Sequence, residues 1–279
     1  MKQLLCGVAF AAGLGTAVSA QHVRTLESAR LLRDLTPVAI RLQLGTGTLS
    51  VGASDAPYLY RSIARFDDAF SAPTSQWNAA QHTLTLSAGE RHPGVIREDD
   101  EAAQDWRVQL TRRAPLELSI AATAANATLD LTGLPLRRFS LTTGAARAAV
   151  RFDAPNPESM SLFDATAGAG GLELIGIGNA GASEVRIAGD VGDIALDLGG
   201  RWQRDMTLTV TSAIGGISIT APPTIGIELQ STGLLSRETV SGGFTREDGR
   251  WRSTNFASAS VKVRIVVKSM LGRVALVQR

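Results

Sequence analysis

Ile120 to Pro155 reads IAATAANATLDLTGLPLRRFSLTTGAARAAVRFDAP, and Ile187 to Pro222 reads IAGDVGDIALDLGGRWQRDMTLTVTSAIGGISITAP. The two align without a gap at a constant offset of 67 residues (187 − 120). Leu129-Asp130-Leu131 falls on Leu196-Asp197-Leu198, Gly133 on Gly200, Arg137 on Arg204 and Ala154-Pro155 on Ala221-Pro222. A register this long without an insertion marks a repeated structural unit. A finer period lies inside it. Small-residue turns recur near Ala124-Ala125-Asn126, Gly144-Ala145-Ala146, Gly168-Ala169-Gly170, Gly189-Asp190 and Gly215-Gly216, roughly every 21 to 24 residues, the spacing of solenoid repeats. Between the turns apolar residues alternate with Thr, Ser, Asp or Arg, as in Ile194/Leu196/Leu198 and Met206/Leu208/Val210. Alternation sends side chains to opposite faces of a strand. The expected fold is therefore all-β, a stacked β-rung solenoid with an N-terminal β module, in which each rung relies on its neighbours to bury its apolar face.

Working outward, residues 1–20 read as a signal peptide, with Lys2 as the positive n-region, Leu4 to Ala17 as the apolar run and Val18-Ser19-Ala20 as the cleavage site. Residues 21–37 read as a leader, with one or two helical turns around Leu31 to Leu35 ended by Pro37. Residues 38–115 read as the N-terminal β module and 116–279 as the β-repeat domain. Val261, Val263, Ile265 and Val267 form the cleanest amphipathic strand, expected to cap an open stack. No stretch after the leader is long and apolar enough to span a membrane. The expectation is an exported protein, periplasmic or extracellular.

Composition narrows the function classes. The chain has 28 Lys and Arg against 26 Asp and Glu, too balanced to draw in nucleic acid. The single cysteine, Cys6, lies in the signal peptide, so no disulfide, thiolate metal site or cysteine nucleophile is expected. Gly176-Ile177-Gly178-Asn179-Ala180-Gly181 matches G-x-G-x-x-G, but Val185-Arg186-Ile187 follows as strand, whereas the dinucleotide motif needs a helix there. His82 opens a strand and His92 sits in a loop, without ligand spacing. Glu98-Asp99-Asp100-Glu101 lacks the spaced calcium-loop pattern. Trp77, Trp106, Trp202 and Trp251 are scattered and read as core or rim packing. Asn126-Ala127-Thr128 is a glycosylation sequon in a repeat turn. No cofactor, metal or catalytic residue is assigned.

Several of these stretches resemble the bacterial toast-rack family of exported or membrane-tethered envelope proteins, which is related to domains of cell-wall-active antibiotic response proteins. The resemblance is carried by Leu42 to Gly47, Leu129-Asp130-Leu131, Phe152-Asp153-Ala154-Pro155-Asn156-Pro157, Gly176 to Ala180, Leu196 to Trp202 and Val210 to Pro222. It covers the chain from about Val38 onward. It implies a solenoid of stacked β rungs and supplies no catalytic residues.

Two readings of function follow. The first is a non-catalytic envelope scaffold binding a protein or a cell-wall polymer, with contacts at the loops Gly89–Asp105 and Asp153–Pro157, since function concentrates on loops. Its rival is a polysaccharide-acting enzyme in which the repeat aligns Asp130, Asp197, Arg137 and Arg204 along one groove; paired carboxylates about 5 to 10 Å apart would mark it.

Overall fold

Apolar-in, polar-out alternation commits nearly all of the chain to β structure. The computed structural model describes residues 23–67, 70–89 and 104–279. Among them are eighteen strands joined into one sheet, which wraps a single hydrophobic cluster running from Val38 to Leu276. The expected all-β class is met. The expectation of a plain solenoid is refined: the sheet forms a barrel-like wall about its core, and its strands are not stacked in chain order.

Five long strands cross from one wall of the sheet to the other: β2 (Val38–Ser54), β7 (Leu116–Asp130), β14 (Met206–Ala221), β15 (Gly226–Ser241) and β18 (Lys262–Gln278). Shorter pairs cover the same two walls, namely β8 (Leu136–Thr143) with β9 (Ala148–Arg151), β10 (Met160–Ala169) with β11 (Leu172–Ile175), and β12 (Ala182–Val191) with β13 (Ile194–Asp197). In the first wall Ile120, Leu141, Ala165, Ile187 and Val210 are successive parallel partners. In the second wall Leu129, Val150, Leu174, Leu196 and Ile219 are partners in the same way. The 67-residue repeat is thus three passes of the chain. The inner faces meet: Phe163 of the first wall lies 4.9 Å from Phe139 and 6.2 Å from Phe152 by ring centroid.

Chain order fails at both ends. β18, expected as a terminal cap, lies between β14 and β15, in register with each along both walls. Its Val263, Ile265, Val267, Val274 and Leu276 are buried, and a strand with that much apolar inner face buries more between two neighbours than at an edge. At the other end β2 pairs with β7, so the boundary expected at Pro115 is crossed by a continuous parallel ladder. Beyond β2 come β5 (Thr83–Ala88) in the first wall and β6 (Asp105–Thr111) in the second. Antiparallel strands finish both: β4 (Thr74–Asn78) on β5, then β3 (Tyr58–Asp67) on β6 and β1 (Val23–Leu31) on β3. The helical turns expected in the leader are not formed. Residues 23–31 are strand paired with β3, and residues 32–35, where the turns were expected, have no regular structure.

Candidate functional site

Where the chain turns from one wall to the next, glycine repeats. Gly170, Gly192, Gly215 and Gly272 all have φ between +140° and +151°. A Cβ on any of them would come closer than 3.0 Å to a carbonyl oxygen of the preceding pass: Ala146, Gly170, Gly192 and Gly215 respectively. Only glycine fits such a corner. In β15 the same register position holds Ser236, paired with Gly272.

The residue before each corner glycine points outward. Ala169, Val191, Ile214, Leu271 and Leu235 are successive register partners, so the corners form a crest whose apolar side chains grow toward β15. Exposures are 51% for Val191, 49% for Ile214, 46% for Leu271 and 70% for Leu235, with Met270 and Leu234 beside them at 63% and 82%. Neighbouring strands are about 4.8 Å apart, so these side chains are contiguous. Soluble proteins seldom leave such a row uncovered without a use for it.

The crest runs into an open edge. β15 pairs with β18 over its whole length. On its other side β17 (Arg250–Ser253), in a hairpin with β16 (Phe244–Glu247), covers only Glu228 and Leu229. No strand among the described residues pairs with that side over residues 231–241. Inward from this edge points Glu238, whose register partner is the buried Val274. Its Oε1 atom is buried without a hydrogen-bond partner among the described residues. An inward carboxylate at an edge discourages random strand addition and leaves an acceptor waiting for a donor.

The enzyme constellation is not assembled. Asp130 and Asp197 share one column of the second wall but lie three passes apart, about 14 Å at the usual strand spacing. Each is bound up in its own turn, Asp130 accepting from the Thr132 N–H at 3.1 Å and Asp197 from the Gly199 N–H at 2.9 Å. Arg137 bonds Glu158 at 3.0 Å, and Arg204 donates to the Ser159 hydroxyl at 2.7 Å. The repeat copies a turn, and the carboxylate serves the turn.

The Asp153–Pro157 turn, expected to protrude, is anchored. Asn156 is buried; its carboxamide accepts from the Leu136 N–H at 3.0 Å and donates to the Leu136 and Ala180 carbonyls at 2.7 and 3.1 Å. Asp153 is ion-paired with Arg151, whose guanidinium holds its carboxyl below the usual carboxylate range. The loop at 90–103, with Glu98–Glu101 and His92, lies outside the described residues. The G-x-G-x-x-G run does hold one helical turn, α1 (Ile177–Ala180), between left-handed Gly176 and Gly181. Its Asn179 is a structural clamp, donating to the Phe152 carbonyl at 3.0 Å and accepting from the Arg201 N–H at 2.8 Å. His82 packs edge-on against Trp77. Asn126 of the sequon accepts from the Arg147 N–H.

An open groove of about 800 Å³ crosses the second wall over Thr128, Ala149, Glu173 and Ala195, flanked by Arg147 and Asp193. Its floor is small side chains. Among the described residues no three His, Cys, Asp or Glu side chains gather as metal ligands, and no helix is long and apolar enough to cross a membrane.

A family model described as "N-terminal domain of toast_rack, DUF2154" matches residues 19–175. No curated protein matches the chain in sequence. Among solved structures, the fold is similar to a "putative cell adhesion protein" from Clostridium sporogenes at 11% identity and a TM-score of 0.45, covering 92% of this chain and 100% of the other. It is also similar to a "putative adhesin" from Bacteroides fragilis at 10% identity and a TM-score of 0.42, covering 91% and 97%. A "putative lipid binding protein" from Parabacteroides distasonis is similar at 11% identity and a TM-score of 0.35, covering 92% and 96%. Likenesses this distant carry no argument about function.

Proposed function

This chain belongs to the toast-rack family, and from that premise we propose that it is a non-catalytic exported envelope scaffold that binds an extended segment of another envelope protein. The observation that carries the reading is the open half of β15 with its unsatisfied inward Glu238. An added strand meets the free N–H and C=O groups of residues 231–241, as in strand-addition recognition. It also brings a side-chain donor to the Glu238 carboxylate, which gives the contact a chemical preference as well as a register. Export rests on the signal-peptide pattern of residues 1–20, whose charged start, apolar run and small-residue site suit secretion.

The test places a photo-crosslinking residue at Thr239, exposed on the edge strand, and at Thr128, exposed in the middle of the same wall. In the cell envelope an adduct with one protein is expected from Thr239 and not from Thr128, and it is lost when Glu238→Ala is added. Equal yields from both positions, or an adduct indifferent to Glu238, contradict the reading.

A further inference from the structure

We infer that the corner crest of β18 and β15 docks on an anionic lipid surface. The crest follows a corner of the sheet, and beside it lies an open depression of about 400 Å³ over Thr211, Ser212 and Thr232, with Leu234, Lys268 and Met270 in its lining. At its tip Met270, Leu271, Leu234 and Leu235 stand adjacent and exposed, held by main chain that is in register on β18 and β15. Apolar side chains on a rigid projection enter the boundary between headgroups and acyl chains without any rearrangement of the fold.

Charge then selects the surface. Lys268 lies in the first wall two residues before Met270, and Arg273 with its register partner Arg237 lies in the second wall two residues beyond the Leu271/Leu235 pair. All three are exposed, and among the described residues none forms a salt bridge. Two passes farther in from β18, beyond β14, Asp190 and Asp193 flank the corner, with Asp193 accepting from the Gly216 N–H at 2.8 Å. Apolar size and positive charge therefore rise together toward the last two passes, where the acidic residue beside the corner, Glu238, points inward. An apolar tip between unpaired cations matches an interface whose interior is hydrocarbon and whose surface is anionic. The inference does not rest on strand addition at β15, which uses main-chain groups of the edge and leaves the corner side chains outward.

The experiment uses the chain from Gln21 onward, which contains every described strand and lacks the apolar signal peptide. It is sedimented with vesicles of equal parts phosphatidylglycerol and phosphatidylethanolamine, and with vesicles of phosphatidylcholine. Binding to the anionic vesicles is expected, weakened about tenfold on phosphatidylcholine or at high salt. Leu234→Gln with Leu235→Gln is expected to lower binding at least tenfold while leaving the unfolding midpoint unchanged, since both side chains are exposed. Lys268→Gln with Arg273→Gln is expected to remove most of the salt dependence. A Met270→Trp reporter should shift its emission to shorter wavelength only with anionic vesicles. Absence of vesicle binding overturns the inference, as does binding that the double leucine variant keeps. Self-association of the parent chain that is lost in that variant, with no vesicle binding, assigns the crest to a second copy and overturns it equally.

Discussion

The two ends of the sheet are finished differently. At the N-terminal end both walls close in antiparallel strands, β4 on β5 in one, and β3 on β6 with β1 on β3 in the other. At the C-terminal end only one wall is closed, by a short hairpin over Glu228 and Leu229, while residues 231–241 lie open. Reversing strand direction stops further in-register stacking, and the outer strands β1 and β4 carry polar and charged residues such as Glu27, Arg30, Gln76 and Asn78, a common protection of exposed edges. The open half of β15 has one inward carboxylate and an apolar corner in place of a cap. The contrast is the ground for the proposed partner surface at the C-terminal end.

The comparison breaks most severely if the corner column is disturbed, because both walls depend on it. Gly215→Ala places a Cβ against the Gly192 carbonyl and is expected to cost about 3 kcal/mol or more. Gly52→Ala in β2, where a Cβ meets nothing within 4 Å, should stay within about 0.5 kcal/mol. Urea unfolding midpoints of the pair measure the difference. A similar contrast separates core from crest. Leu276→Ala, fully buried in β18, should cost about 3 kcal/mol by cavity formation, whereas Leu235→Ala at the exposed corner should cost about 0.5 kcal/mol or less. Thermal melts of the two variants test it.

The clamps that hold the turns give a smaller effect. Asn179→Ala leaves the buried Phe152 carbonyl and the Arg201 N–H unpaired and should cost about 2 kcal/mol. Asn126→Ala, exposed and making one bond, should cost about 0.5 kcal/mol. The smallest effect lies at the closed end. Arg61, by hydrogen bond and charge, holds the Glu27 carboxyl below its ordinary value, so the bond contributes above the unfolded pKa of Glu27 and is lost as pH falls through the lowered folded pKa. Amide exchange of β1, relative to β7 as an internal standard, is expected to quicken in acid below that range, while the Glu27→Gln variant shows no such step.

Much of the fold was legible because alternation and turn spacing are local. The offset between Leu129-Asp130-Leu131 and Leu196-Asp197-Leu198 announced repeated passes before any pairing was known. The placement of β18 was not legible, since Val263, Ile265 and Val267 alternate in the same way whether they face one neighbour or two. Repeating a turn also mimics an aligned site: Asp130 and Asp197 could pair only in the rival enzyme reading, whereas their shared turn setting favours the turn-bonding role that each takes. The clamps Asn156 and Asn179 were hidden among turn residues, although they recur one pass apart. The crest left a signal that composition alone does not weigh: Val191-Gly192, Ile214-Gly215 and Leu271-Gly272 repeat an outward apolar residue before the corner glycine. Glu238 was silent, because an acidic residue within a strand normally faces water.

The openness of β15 is tested most directly by residue-resolved amide hydrogen exchange on the isolated chain. Successive N–H groups of a strand point to opposite sides, so residues 236–241 should alternate between protected amides bonded to β18 and amides that exchange at nearly the unprotected rate. Every amide of β6, which has β2 on one side and β3 on the other, should be protected. Uniform protection along residues 236–241 would mean that the edge is already covered, and the proposed partner surface at the C-terminal end would be contradicted.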